Sequence, residues 1–200
     1  VRWLRRTPLE AARWVVVDCE TSGLDIARDR LLAVGAVAVH GSSVHLNESF
    51  SALVRQEAAS APDNILIHGI GGDAQRGGQP LDAVVHGLKD FMGDATPAAF
   101  HAPFDAGILK RHGLKAGRAW LDLAVLLPAL FPDRGSKESP LDHWLGVFDI
   151  PAHARHDALG DAFATAQLLL VALAEAKRQR VATVQGLFRA EGAGRWLARR

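Results

Sequence analysis

At 200 residues, 48% hydrophobic and 22% charged, the chain is long enough for one domain with a buried core and too apolar for a disordered segment. The apolar run from Leu168 to Ala174 is too short to cross a bilayer, and Arg2, Arg5 and Arg6 break up any secretory leader, so no membrane partner is expected. A single cysteine, Cys19, excludes an internal disulfide and fits a reducing cytoplasm.

The net charge of +1 conceals an uneven distribution. Residues 1–13 carry four arginines against Glu10, and residues 177–200 carry seven basic residues against Glu191, which leaves 12 basic and 20 acidic residues between them. The expected organisation is a basic flank (1–13), a body (14–176) and a basic tail (177–200). An acidic body repels a polyanion unless bound cations invert the local field. The basic ends either attract phosphate or are simply solvated. A first residue other than Met is what a trimmed or excised domain would show.

Trp14 to Glu20 (WVVVDCE) is a β-branched run suited to a buried central strand. Leu31 to His40 and Ser43 to Phe50 read as two further strands, with Gly41-Ser42 as a hairpin turn between them. Residues 55–78, with turn-forming Pro62-Asp63-Asn64 and five glycines between Gly69 and Gly78, read as mostly loop with room for a short helix. After Pro80, Leu81, Val84, Val85, Leu88 and Phe91 keep the spacing of a one-faced helix. Ala98 to His101 reads as a short strand, and Phe104 to His112 as a helix that Gly113 ends. Leu121 to Leu130 and Pro140 to Phe148 predict two more helices. The last long helix starts on Asp157 as N-cap, with Leu159, Phe163, Ala166, Leu170 and Leu173 as its apolar stripe. Three consecutive strands followed by helix, strand and helices indicate an α/β fold, a mixed sheet flanked by helices.

Asp18 and Glu20 stand two apart on the first strand, so both carboxylates leave one face while Val17 and Cys19 leave the other. Two anions side by side are costly unless a cation or hydrogen-bond donors offset them, and oxygen donors suit Mg²⁺ or Mn²⁺. The same triplet also fits a solvated strand end. Asp105 falls in the first turn of its helix, where capping alone explains it. His156 and Asp161, five apart, do not share a face of a continuous helix. They converge if His156 lies in the loop before Asp157.

The order Asp18-Cys19-Glu20-Thr21, then Phe104-Asp105, then His156 and Asp161, resembles the DEDDh 3′→5′ exonucleases, whose fold is ribonuclease H-like. The likeness runs from about Trp14 to Leu173 and includes Thr21-Ser22-Gly23-Leu24, Ile67-His68-Gly69-Ile70, Leu141-Asp142-His143-Trp144-Leu145 and Asp161-Ala162. Within that family the chain looks most like the DnaQ-like proofreading-subunit type. The resemblance implies hydrolysis of phosphodiester bonds with two divalent cations roughly 3.5–4 Å apart. It makes Asp18 the bridging ligand, gives Glu20 and Asp161 to the water-activating ion and Asp105 to the second, and makes His156 the general base. It further implies that backbone amides of Cys19 to Ser22 hold a 3′-terminal nucleotide, with Leu24 and Phe104 against its bases. For Phe104, core packing is an equal alternative.

One departure stands beside Asp105. Aligned on Phe104-Asp105, Phe100 and His101 occupy the places where this family often has His and Asn, so His101 would donate where an Asn amide does. The implied partner is the 3′ end of a single-stranded nucleic acid, DNA favoured over RNA. An RNA 3′→5′ exonuclease is the runner-up. A catalytically idle binding scaffold is the rival of a different class, although such a module would not need all five site residues. Gln185 with Leu187 and Phe188 resembles the short peptides that dock on sliding clamps, so a polymerase or clamp partner is open; a terminal helix packing on the body predicts the same residues. The remaining histidines (His40, His45, His68, His86, His112, His143 and His153) form no tight ligand spacing, and His68 is expected to make a structural hydrogen bond.

Overall fold

The computed structural model describes residues 7–114, 117, 119–151 and 155–197, with side chains through residue 194. Arg2, Arg5, Arg6 and His153, named above, lie outside the described residues.

The three N-terminal strands form as the sequence predicts: β1 (Trp14–Thr21), β2 (Leu31–His40) and β3 (Ser43–Leu53), with Gly41 at φ +63° making the hairpin turn. A left-handed backbone there costs a glycine little. Short strands β4 (Thr96–Ala99) and β5 (Leu121–Asp122) complete a sheet of order β3-β2-β1-β4-β5. β1 pairs antiparallel with β2 and parallel with β4, so the sheet is mixed and β1 is central. Eight helices are found among the described residues, and the whole is the ribonuclease H-like α/β arrangement expected.

The two faces of β1 have different neighbours. Trp14 and Val16 point into a core shared with α5 (Leu123–Leu130), α6 (Leu141–Val147), α7 (Ala158–Arg178) and α8 (Val184–Leu197). Val15, Val17 and Cys19 point into a second core with α3 (Leu81–Met92) and α4 (Ala102–Arg111). Asp18 and Glu20 continue the Trp14 and Val16 face, so they emerge toward α7.

Several expectations need correction. Residues 55–78 are not mostly loop: they hold α1 (Pro62–His68) and α2 (Gly72–Gly77). Pro62 at the first helical position and Gly69 at φ +68° are the start and stop signals that glycine content obscured. The strand read at Ala98 to His101 is shifted to Thr96–Ala99, because His101 already turns the chain into α4 at φ +60°. Leu121 and Asp122 pair with β4 before the helix begins, and the Asp122 side chain caps α5 by accepting from the Ala124 amide at 3.1 Å.

The stripe read on α7 is displaced as well. Of the expected stripe Ala166 is buried, but Leu159, Phe163, Leu170 and Leu173 are only half-buried, whereas Ala162, Thr165, Leu168, Leu169, Ala172 and Ala176 are buried with Ala166. Small residues take that face because the helix lies close against β1 and β2. At 21 residues α7 is long and apolar enough to cross a membrane by length and composition, unlike the short run read within it, but half of its apolar window is buried inside the fold as in a core helix.

The ends read as flanks contribute to the same core. Leu9, Val184 and Leu187 are buried in it, and Leu9 donates its amide to the Ala182 carbonyl at 3.1 Å. Leu187 is fully buried and Phe188 packs on that core, as a terminal helix requires and an exposed clamp peptide does not.

Candidate active site

Four local features build the site at the C-terminal end of β1. The first is strand alternation, which sends Asp18 and Glu20 to one side. The second is Gly35, the β2 partner of Asp18. A Cβ there would collide with the backbone of Ala158 and Leu159, so only glycine lets the first turn of α7 rest on the sheet. The third is the Asp157 cap, whose side chain accepts from the Gly160 amide at 2.8 Å and starts α7 directly over β2. The fourth is a register shift between Glu20 and Thr21, a bulge of the kind found beside functional sites.

These features bring oxygens of Asp18, Glu20 and Asp161 within 4.8 Å of one another. Asp161 lies in the first turn of α7 and is only 6% exposed. The electrostatics are those of crowded, desolvated anions. Burial, and then the charges of Asp105, Asp161 and Glu20, push Asp18 well above the ordinary carboxylate range, with Arg155 pulling the other way. Burial, followed by Asp161 and Asp157, raises Glu20 to about 7, again opposed by Arg155.

Asp105 stands apart from this trio. It is 3% exposed at the start of α4, on the opposite side of β1, and accepts hydrogen bonds from its own amide and from the thiol and amide of Cys19. Burial raises it to about 8 despite those bonds. Its charge is felt at Asp18, so the four acids form one electrostatic group, although only three share a ligand-sized space.

His156 sits just outside the helix, before its cap, where the sequence reading needed it. Its backbone is left-handed at φ +61°, its amide donates to Asp161 at 3.1 Å, and its side chain is exposed. His101 has the same backbone conformation at φ +60° and begins α4, with an exposed ring edge-on to Phe100. Asn and His are among the side chains that tolerate this conformation best, which accounts for His101 standing where the family often has Asn.

The loop after β1 is pinned by Asp29, which accepts from Ser22 Oγ at 2.9 Å and from the Asp25 amide at 2.7 Å. Thr21 Oγ1 donates to the Gly23 carbonyl at 2.6 Å, and Leu24 is left 86% exposed at the loop tip. Phe104 is half-buried, which is neither pure core nor free surface. The expectation for the amides of Cys19 to Ser22 is partly wrong: Cys19 gives its amide to Asp105, and Ser22 gives its own to the Arg30 carbonyl at 2.9 Å. His68 makes the expected structural bonds, with Ser60 Oγ at 3.2 Å and accepting from the Ile70 amide at 3.0 Å.

Sequence reasoning missed Arg155. Its guanidinium ion-pairs with Asp161 and with Asp142, the latter at 2.5 Å, and so lies where a cation would meet the trio. The signal was a lone basic residue directly before His156 in a region otherwise acidic. Leu66 of α1 was also missed, and Ile67 was named only within the Ile67-His68-Gly69-Ile70 likeness; the two are 84% and 58% exposed. Asn64 of the same helix donates to the Ser22 carbonyl and ties this apolar pair to the Leu24 loop.

A donor set of carboxylate oxygens alone, desolvated and mutually repelling, fits a hard divalent cation. The only basic group facing it among the described residues is Arg155, one charge against three.

Comparison with known proteins agrees with this geometry. The family profile described as exonuclease matches residues 15–169. A DNA polymerase III subunit epsilon-like protein of Rhodobacter capsulatus is 31% identical over 186 residues, covering 90% of this chain and 26% of that protein. A PolC-type DNA polymerase III of Listeria monocytogenes is 30% identical over 174 residues, 84% of this chain and 12% of that protein. This chain thus spans about a quarter or less of these relatives. Exonuclease I of E. coli in complex with a dT13 oligonucleotide has the same fold, with TM-score 0.70 at 18% identity over 84% of this chain and 42% of that one. A family match across both cores and the whole acidic constellation leads to one conclusion: the chain belongs to the exonuclease family, in its DnaQ-like 3′→5′ branch.

Proposed function

We propose that the chain hydrolyses phosphodiester bonds one nucleotide at a time from the 3′ end of single-stranded DNA, in proofreading or repair alongside a replicative polymerase. The observation that carries this reading is the trio of Asp18, Glu20 and Asp161 within 4.8 Å, with Asp105 electrostatically joined to it. Relatives named as polymerase III proteins and a neighbour of the same fold bound to dT13 favour DNA and a polymerase partner.

Asp18, Glu20 and Asp161, with Asp105 behind Asp18, would hold two divalent cations, Mg²⁺ or Mn²⁺. When bound, such cations supply Lewis acidity at the scissile phosphate and offset its charge. For Asp161 to serve, Arg155 must leave it, and Asp142 is the partner that keeps the guanidinium. His156 takes the proton of the attacking water on a ring nitrogen; its side chain is exposed and its amide is bonded to Asp161, which keeps the residue beside the trio. Leu24, Leu66 and Ile67 form an apolar lip on which terminal bases stack, a contact indifferent to sequence and suited to single strands. Phe104, half-buried, and His101, exposed, at the start of α4 are further candidates to meet the terminal nucleotide.

The test is digestion of a 5′-labelled single-stranded DNA oligonucleotide with Mn²⁺ or Mg²⁺, beside an RNA of the same sequence. The expected result is a ladder shortening from the 3′ end, abolished by chelator and faster on DNA. A 5′-label released as a mononucleotide would reverse the polarity, faster RNA digestion would reassign the substrate, and no shortening would leave a binding scaffold.

A further inference from the structure

The sequence shows no ligand spacing among the histidines outside the site, yet folding assembles one. At the end of β1 remote from the carboxylate trio, His40, His45 and Glu48 present one donor atom each, all within 4.8 Å of one another. Trp14 pairs with Val39 at this end and Glu20 with Ala33 at the other, so the two places are roughly 20 Å apart along the strand.

The local structure explains how they meet. His45 pairs with Ala38 across the hairpin, which puts it on the face shared by Ala38 and His40. The ladder then jumps, because Val37 pairs with Ser49, and the extra residues between His45 and Ser49 loop out with Leu46 61% exposed. That wide bulge folds Glu48 back over the histidines, with Oε1 at 3.0 Å from His40 Nε2. The two imidazoles stack at 3.5 Å.

The surrounding contacts orient these groups as a metal site requires. His45 Nε2 lies 3.3 Å from the His40 carbonyl, which can only accept, so Nε2 carries the proton and Nδ1 keeps its lone pair. A ring N–H donated to a backbone carbonyl is the usual outer partner of a ligating histidine. Glu48 Oε2 is held by Arg13 at 3.4 Å while Oε1 stays toward the histidines. Arg13 is itself anchored on the carbonyls of Phe91 and Met92 at 3.3 and 3.2 Å, so Glu48 is fixed by a side chain tied to α3.

We infer that His40 Nε2, His45 Nδ1 and Glu48 Oε1 form a second metal site, for a zinc-like transition cation, that clips the β2–β3 bulge. Two imidazoles and one carboxylate are a donor set for zinc, with water in the fourth position, whereas the all-oxygen trio suits harder ions. Zinc–nitrogen and zinc–oxygen bonds of about 2.0–2.2 Å put tetrahedral donors roughly 3.3 Å apart. The His40–Glu48 pair is near that already, with the cation replacing the proton that His40 Nε2 now donates to Glu48, and a turn of the His45 ring out of the stack brings in the third donor. The inference does not depend on the nuclease reading, since no residue is shared.

The experiment uses the full chain carrying Asp18→Asn and Asp161→Asn, which removes competition from the carboxylate trio. Zn²⁺ is titrated against a chromophoric chelator. The expected result is one tightly held equivalent, weakened at least about tenfold by His40→Ala or by His45→Ala in the same background. Co²⁺ in place of Zn²⁺ should give the intense visible bands of a tetrahedral site, lost in both histidine variants, whose circular dichroism stays that of the parent. Absence of the equivalent, or zinc retention unchanged in both variants, would overturn the site. In the chain with Asp18 and Asp161 intact, His45→Ala should leave Mn²⁺-dependent nuclease activity at the parental rate.

Discussion

The two ends of β1 carry clusters built on opposite principles. At the C-terminal end, Asp18, Glu20 and Asp161 are like charges in a desolvated place, and Glu20 is raised to about 7. At the N-terminal end, Glu48 is exposed enough to be solvated and is held below the ordinary range, first by the hydrogen bond with His40 and also by Arg13. One cluster is strained by its own like charges until cations offset them; the other is held in position by its neighbours before any ion binds. The difference teaches that carboxylate count does not make a catalytic site. Burial without compensation is what singles out a candidate.

Substitutions should break the first end without touching the second. Asp18→Ala or Asp161→Ala should abolish oligonucleotide digestion while the chain stays folded and the zinc equivalent at His40 and His45 remains. Parental turnover in either variant would refute the assignment. Next in size, His156→Ala should lower kcat by about 10²–10⁴-fold. Titration calorimetry should find its Mn²⁺ affinity retained; a collapse of affinity would make His156 a ligand and not a base.

Gly35→Ala tests whether the close approach of α7 makes the site. Overpacking against the backbone of Ala158 should cost about 1–3 kcal/mol in urea denaturation. Digestion should fall too, because Asp161 moves with the helix. A variant of parental stability would mean the helix start yields freely.

The pH dependence of the chelated protein separates the ends by sign. Asp105 at about 8 and Glu20 at about 7 lie above their unfolded values, so the stability they confer is whole below about pH 4 and lost as pH rises through 7 to 8. Glu48 acts in the opposite sense, its contribution being present above the unfolded pKa and lost as pH falls. The expected Tm of the chelated chain falls between about pH 5 and about pH 8.5, and Asp105→Asn flattens the fall. The smallest effect belongs to Arg155→Ala, which removes the cation now resting on Asp161. It should tighten Mn²⁺ binding several-fold and lower the chelated Tm by a few degrees.

Much of this molecule is readable from local chemistry. Strand alternation alone places Asp18 and Glu20 together, Asp157 announces its helix, and Gly41 its hairpin. Family likeness supplies Asp105, His156 and Asp161, which no periodicity joins to the first strand. Their convergence depends on contacts far apart in sequence. Gly35 admits α7 to the sheet, and Arg155 reaches back from the turn before it. Cys19 holds Asp105 from the far face.

The misreadings share a cause. The α7 stripe was displaced because a helix rich in alanine and leucine offers several apolar faces, and only the sheet selects one. Two helices stand in 55–78 where the sequence points to mostly loop, because both are short and the five glycines from Gly69 to Gly78 surround the end of one and the whole of the other. His40, His45 and Glu48 had no motif to find, since a bulge in the β2–β3 ladder makes them neighbours. The sequence by itself determined the longer strands and helices and the co-facing acids, which follow from periods of two and 3.6 along the chain. Only the tertiary structure decided which acids share a desolvated space and which are solvated, because burial depends on what folds back over them.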